Sequence, residues 1–111
     1  MEIAVKQGVW ISRIDDLFIH FCRVLNDVWG QWGNIPTLTS GADGKHAENS
    51  KHYTARAWDI RVWGLKDPAA MAADLRAALN VDGDEWDVIF GDAGHKDHIH
   101  VEAENFSGRD L

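Results

Sequence analysis

Five of the six histidines in this chain fall in two short segments, Asp43 to Asp59 and Asp92 to His100, and both segments lead into stretches that read as strands. Imidazoles and carboxylates gathered in this way are the donors a zinc ion takes. In the second segment Ile99 and Val101 point to one side of an extended chain, so His98 and His100 point to the other. In the first, Asp59 opposes the apolar set Trp58, Ile60 and Val62. Asp59 and His100 can therefore share the polar face of one sheet. His52 closes a polar loop seven residues before Asp59, where a turn can bring its imidazole over that face. Two neutral imidazoles and one carboxylate are a known catalytic zinc set that leaves a fourth position for water. A cation left partly unneutralised by its ligands lowers the pKa of a bound water toward ~7 and polarises a carbonyl, the two requirements of amide hydrolysis.

Taken singly, each of these residues has an ordinary reading. A lone histidine is usually a surface or hydrogen-bonded group, and an aspartate on a strand often pairs with a nearby arginine, here Arg56 or Arg61. Spacing and facing together favour the metal. The chain has no HExxH helix, which excludes a zincin-type site, and its single cysteine excludes a structural zinc finger. That cysteine, Cys22, lies on an apolar helical face and reads as a core residue.

The elements that must position these donors follow from periodicity. Ile14, Leu17, Phe21, Leu25 and Val28 recur at helical spacing, with Ser12 as N-cap and Gly30 as stop, which predicts a helix from Ser12 to about Trp29. Thr37 to Ser40 reads as a short strand, and Arg56 to Trp63 as a half-buried strand. Asp67-Pro68 starts a second helix that ends near Asn80. Trp86 to Phe90 and His98 to Ala103 are two further strands, separated by the turn formers Gly91 to Gly94. This order predicts a single α+β domain: a small, mostly antiparallel sheet with helices on one face. Of the six tryptophans most are expected in the core, although Trp10, Trp29, Trp32 and Trp63 can also line a groove.

The 111 residues are 45% hydrophobic and 26% charged, an ordinary globular composition. A net charge of −7 without a basic cluster argues against nucleic acid and anionic membranes as partners. Charges within the first twenty residues interrupt any signal-peptide-length apolar stretch, and no run is long enough to span a membrane. The expectation is a monomer made in the cytoplasm with no export signal and no membrane insertion.

The stretch Ser50-Lys51-His52-Tyr53-Thr54-Ala55-Arg56-Ala57-Trp58-Asp59 resembles the SxHxxGxAxD motif of the zinc D,D-/L,D-peptidases of the M15 class, and Asp97-His98-Ile99-His100 resembles their second motif. The similarity to the hedgehog signalling domain, which shares that fold, is closer still. It covers Asp43-Gly44-Lys45-His46, His52-Tyr53, Arg56 to Asp59 and His98 to Glu104. The resemblance implies a hedgehog/DD-peptidase-like fold and makes His52, Asp59 and His100 the ligands of one zinc ion, in agreement with the facing argument. It makes Asp97 the general base and His98 a hydrogen-bond donor to the oxyanion, and it brings His46 near the metal. It also departs from the family in three places. Alanine stands at position 55 for the motif's glycine, a change that a modest backbone adjustment can absorb. The arginine that aids the carbonyl has no match, leaving Lys45 or Arg56 to substitute. Asp43 alone matches the hedgehog calcium ligands, so calcium is not expected.

The resemblance implies a metallopeptidase acting on a peptidoglycan stem peptide or a D-amino-acid dipeptide, as a D,D-carboxypeptidase, a dipeptidase or an L-Ala-D-Glu endopeptidase. Lacking a signal peptide, such an enzyme would suit a phage endolysin released to the cell wall through a separate pore, and equally a cytoplasmic dipeptidase or a domain of a longer exported protein. Two alternatives stand beside it: a hedgehog-like zinc-containing binding module without catalysis, and a metal-free domain with surface histidines.

Overall fold

The computed structural model describes residues 1–43, 51, 55–92 and 94–105. Its elements are β1 (Ala4–Val5), α1 (Asp16–Gln31), β2 (Thr37–Ser40), β3 (Ala57–Arg61), α2 (Pro68–Leu79), β4 (Glu85–Ile89) and β5 (His98–Asn105). They form a five-stranded mixed sheet in the order β1-β2-β3-β5-β4. Every pairing is antiparallel except that of β1 with β2, in which Ala4 lies beside Thr37 and Val5 beside Leu38. The result is an α+β architecture whose central strands, β3 and β5, carry the two segments rich in potential donors.

Alternation divides the sheet as the sequence suggests. Trp58 and Ile60 of β3, Trp86 and Val88 of β4, and Ile99, Val101 and Ala103 of β5 are buried in one cluster. Phe21, Leu25, Val28 and Trp29 of α1 and Met71, Leu75 and Leu79 of α2 complete it. Aromatic stacking ties the layers together: Phe21 lies 4.7 Å from Trp58, centroid to centroid and nearly parallel, and 6.1 Å from Trp86. Removing an aromatic ring from such a core costs about 3–5 kcal/mol. Both helices therefore pack on the apolar face, and the opposite face of β3 and β5 is left to the polar side chains.

Local signals explain the helix ends. Asp67 caps α2 by accepting from the Ala70 amide at 3.1 Å, with Pro68 at the first turn and Asn80 as C-cap. The first helix starts later than its periodicity predicts. Asp15, not Ser12, is the cap and accepts from the Phe18 amide at 3.1 Å. Ile14 is 76% exposed and so lies outside the buried stripe that counted it as the first apolar residue. Gly30 does not stop the helix, which runs on to Gln31.

A staple joins the segment after β1 to the end of β2. The Asp43 Oδ1 accepts from the Trp10 amide at 2.9 Å and the Gly41 amide at 2.8 Å, and the Ala42 amide donates to the Trp10 carbonyl at 2.8 Å. A Cβ at position 41 would lie 2.6 Å from that carbonyl oxygen, so only glycine fits. Among the described residues no helix is long and apolar enough to cross a membrane.

Candidate functional site

The site grows from the register of β3 with β5. Asp59 lies directly opposite His100, and Arg61 opposite His98. All four point away from the helices because they alternate with Trp58, Ile60, Ile99 and Val101. The carboxylate and the imidazole meet: Asp59 Oδ1 is 3.0 Å from His100 Nδ1, with both side chains 12% exposed. His98 Nε2 stands 3.8 Å from the same oxygen. Its other nitrogen, Nδ1, lies 2.7 Å from Asp97 Oδ1.

His100 is held on both sides. Its Nε2 lies 2.9 Å from Glu102 Oε1, on the same face of the same strand. Burial alone would lower the basicity of this imidazole, but hydrogen bonds and charge from Asp59 and Glu102 outweigh it and hold the ring above the ordinary histidine range. Glu102 is in turn 3.3 Å from the Lys51 ammonium, which also bonds Glu104 at 2.5 Å. The Lys51 hydrogen bond, followed by that of Glu102, draws the Glu104 carboxyl down to about 2. Asp97 is pulled below the usual carboxylate range by its hydrogen bond with His98 and then by that ring's charge.

A turn just before β5 settles where Asp97 sits. In a regular strand it would face away from His100, but β5 begins only at His98, and the preceding bend swings the Asp97 carboxylate back onto the His98 ring. The His95 ring reaches the same place from the loop, 5.3 Å from the His98 ring and 5.4 Å from that of His100. Its Nδ1 is tied to Asp92 Oδ1 at 2.5 Å.

Of the residues singled out from sequence, the structure brings together Asp59, Asp97, His98 and His100. His46, Lys45 and His52 lie outside the described residues. Among the described residues, Arg56 joins the site through its backbone. Its amide bonds the Lys51 carbonyl at 2.9 Å, and its carbonyl accepts from the Ala103 amide at 2.8 Å. The pairing of Asp59 with Arg56 or Arg61 is not found among the described residues; the Arg61 guanidinium instead sits 4.0 Å over the Trp63 ring. Sequence reasoning missed Glu102, although its position two residues after His100 on a strand places it on the same face. It also missed His95, which no periodicity could place because it lies in a loop.

The donor chemistry at Asp59 and His100 fits a zinc ion. Tetrahedral ligands at ordinary Zn–N and Zn–O lengths stand about 3.3 Å apart. The Asp59 Oδ1 lies 3.0 Å from His100 Nδ1, close to that spacing. In the tautomer with Nε2–H donated to Glu102, His100 Nδ1 carries a lone pair on the Asp59 side, the usual arrangement by which a carboxylate orients a ligating histidine. Among the described residues, however, the three metal-type donors lying within 4.8 Å of one another are Asp87, Glu102 and Glu104. That trio offers only oxygen atoms, and Lys51 already bonds two of its carboxylates.

A cleft of about 330 Å³ opens beside Asp59, Asp97 and His98 and is lined as well by Arg61 and Trp63. Potential donors, an acid and an open volume thus meet on one edge of the polar face. Compared with protein-family models, curated proteins and solved structures, the chain matches none.

Proposed function

We propose that the chain is a zinc-dependent metallopeptidase of the hedgehog/DD-peptidase type that hydrolyses an amide bond in a peptidoglycan stem peptide. The observation that carries this reading is the cross-strand meeting of Asp59 and His100 at 3.0 Å beside an open cleft. His52 completes the ligand set in this proposal, on the strength of the motif that it shares with Asp59.

A zinc ion in such a site supplies Lewis acidity, activating water near neutral pH and polarising the scissile carbonyl. The residues do the rest. Asp59 and His100 would hold the metal, and Glu102 would keep the His100 ring in one tautomer and one orientation. Asp97, ionised at neutral pH, takes a proton from the attacking water as that water adds to the carbonyl carbon. As the C–N bond breaks, the same proton passes to the departing nitrogen. His98 has its Nδ1 bonded to Asp97 and its Nε2 turned toward Asp59, and when both ring nitrogens are protonated it is placed to donate from Nε2 to the carbonyl oxygen as negative charge builds there.

The test is direct. Purified chain loaded with zinc should release fragments from isolated peptidoglycan or from D-amino-acid dipeptides, identified by mass. The Asp97→Asn variant should keep its zinc and lose ~100-fold or more of the rate. Hydrolysis unaffected by chelation, or full activity in Asp97→Asn, overturns the assignment. Zinc binding without any hydrolysis would favour a non-catalytic binding module.

A further inference from the structure

The cleft beside Asp59 does not stand alone. It shares Arg61 and Trp63 with a second hollow of about 270 Å³. That hollow in turn shares Asn34, Gly64 and Leu65 with a third, of about 450 Å³, which adds Trp32 and Lys66. The first and third have no lining residue in common, so the three form one track leading from the candidate metal donors past Trp63 to Trp32. Two indoles stand along it, and both are held. The Arg61 guanidinium sits 4.0 Å over the Trp63 ring, which is nonetheless 71% exposed. Trp32 donates from Nε1 to Asp74 Oδ2 at 3.0 Å, which pins its ring to α2. Asn34, half-buried, is anchored by its backbone amide on the Trp29 carbonyl at 3.0 Å, and its side-chain amide bonds nothing among the described residues. Among the described residues no carboxylate lines the second or third hollow, in a chain with 18 acidic residues against 11 basic ones.

This lining suits one kind of occupant. An apolar ligand would cover the indoles but leave the Asn34 amide unmet. A polyanion would need a row of cations, whereas the third hollow offers Lys66 alone among the described residues. A pyranose ring has C–H groups on its faces and hydroxyl and acetamido groups around its edge. Immobilised indoles cover the first, and an amide that both donates and accepts serves the second. We propose that the hollows lined by Trp63, Asn34 and Trp32 form a saccharide subsite for the amino sugar that carries the stem peptide. This rests on the peptidase reading and extends it from the peptide to the glycan. A lactyl group joins that sugar to the first amino acid, so the bond between the first and second residues lies about 7 Å from it and a terminal D-Ala-D-Ala bond about 17 Å, at full extension. Asp59 and Trp63, four residues apart, are separated by at most about 14 Å. A sugar at Trp63 therefore directs cleavage to the bond nearest the glycan.

Three probes test the subsite: N-acetylmuramyl-L-Ala-D-Glu, the sugar-free D-lactoyl-L-Ala-D-Glu, and the trimer of N-acetylglucosamine, which has no peptide. Binding is measured on the metal-free chain, where turnover does not intrude, by calorimetry and by the indole N–H shifts of Trp32 and Trp63. The muramyl peptide should bind about tenfold tighter than the lactoyl peptide, as covering one indole face implies. The trimer should shift the same two indole signals. Trp63→Ala and Asn34→Ala should each remove most of the gap between the two peptides, and Trp63→Phe should keep part of it, because an aromatic face survives. Equal affinities for the two peptides, a gap that persists in both alanine variants, or a trimer that moves neither indole signal overturns the subsite. Sugar-dependent binding through Trp63 and Asn34 in a chain that, loaded with zinc, hydrolyses nothing would sink the peptidase reading and leave the subsite standing. Zinc-dependent hydrolysis that proceeds equally well with and without the sugar would do the reverse.

Discussion

Glu102 offers the sharpest test of how the centre is held. Its Oε1 lies 2.9 Å from His100 Nε2, the two side chains are 22% and 12% exposed, and Lys51 steadies the carboxylate from 3.3 Å. If His100 presents Nδ1 to a metal, Glu102 is the group that fixes the proton on the opposite nitrogen. Truncation to alanine leaves the ring free to rotate and to exchange tautomers. Loss of an outer carboxylate of this kind lowers metal affinity by about 10–100-fold, which corresponds to about 1.4–2.7 kcal/mol. Glu102→Gln should recover most of the loss, because its amide oxygen accepts the same Nε2–H at the same reach. Competition with a chromophoric chelator at fixed pH gives the affinity, and nitrogen-detected NMR of the imidazole shows which nitrogen carries the proton. Wild-type affinity in Glu102→Ala, or a His100 ring protonated at Nδ1 in the zinc-loaded chain, would refute the orienting role.

Four other outcomes are expected. Ala55→Gly should raise stability by about 0.5–1 kcal/mol in denaturant titrations, since Ala55 sits at φ +59°, where an L-residue pays about 1–2 kcal/mol and glycine repays part in unfolded-chain entropy. Trp58→Ala, which removes the ring stacked on Phe21, should cost about 3–5 kcal/mol by the same measurement. In the metal-free chain the raised His100 stabilises the fold fully below the unfolded histidine value and loses that contribution as pH rises through the higher folded value. The thermal midpoint should therefore fall on going from slightly acid to mildly alkaline buffer, and Glu102→Ala should flatten the slope. Burial pushes the Cys22 thiol up to about 11, so it should resist a disulfide reagent at neutral pH until the protein is unfolded.

How far the sequence could be read depended on whether a feature was local. Alternation from Trp58 to Val62 and from His98 to Val101 told which side chains share a face, and the register then set Asp59 against His100. The Asp67-Pro68 start was legible because cap and proline act within a single turn. β1 was not legible: two exposed residues carry no alternation, and they become a strand only by pairing with β2, more than thirty positions away. The start of α1 was misplaced because Ile14 continues the helical spacing although no packing partner covers it. At position 55 the expected adjustment of the backbone does not occur; alanine itself takes the left-handed conformation. His95 depends on loop geometry that periodicity cannot reach, whereas Glu102 was within reach of simple parity.

The glycine at position 41 matters beyond the turn it occupies. It lets two strands of backbone touch, and that contact anchors the segment through which Lys6 is laid beside the cleft. Any larger residue there would prise the amino-terminal ribbon from the sheet and carry one positive charge away with it. Such a lesion would spare the donors at Asp59 and His100 yet take Lys6 from the wall of the hollow beside them, so the shape of that hollow depends on a residue that does not line it.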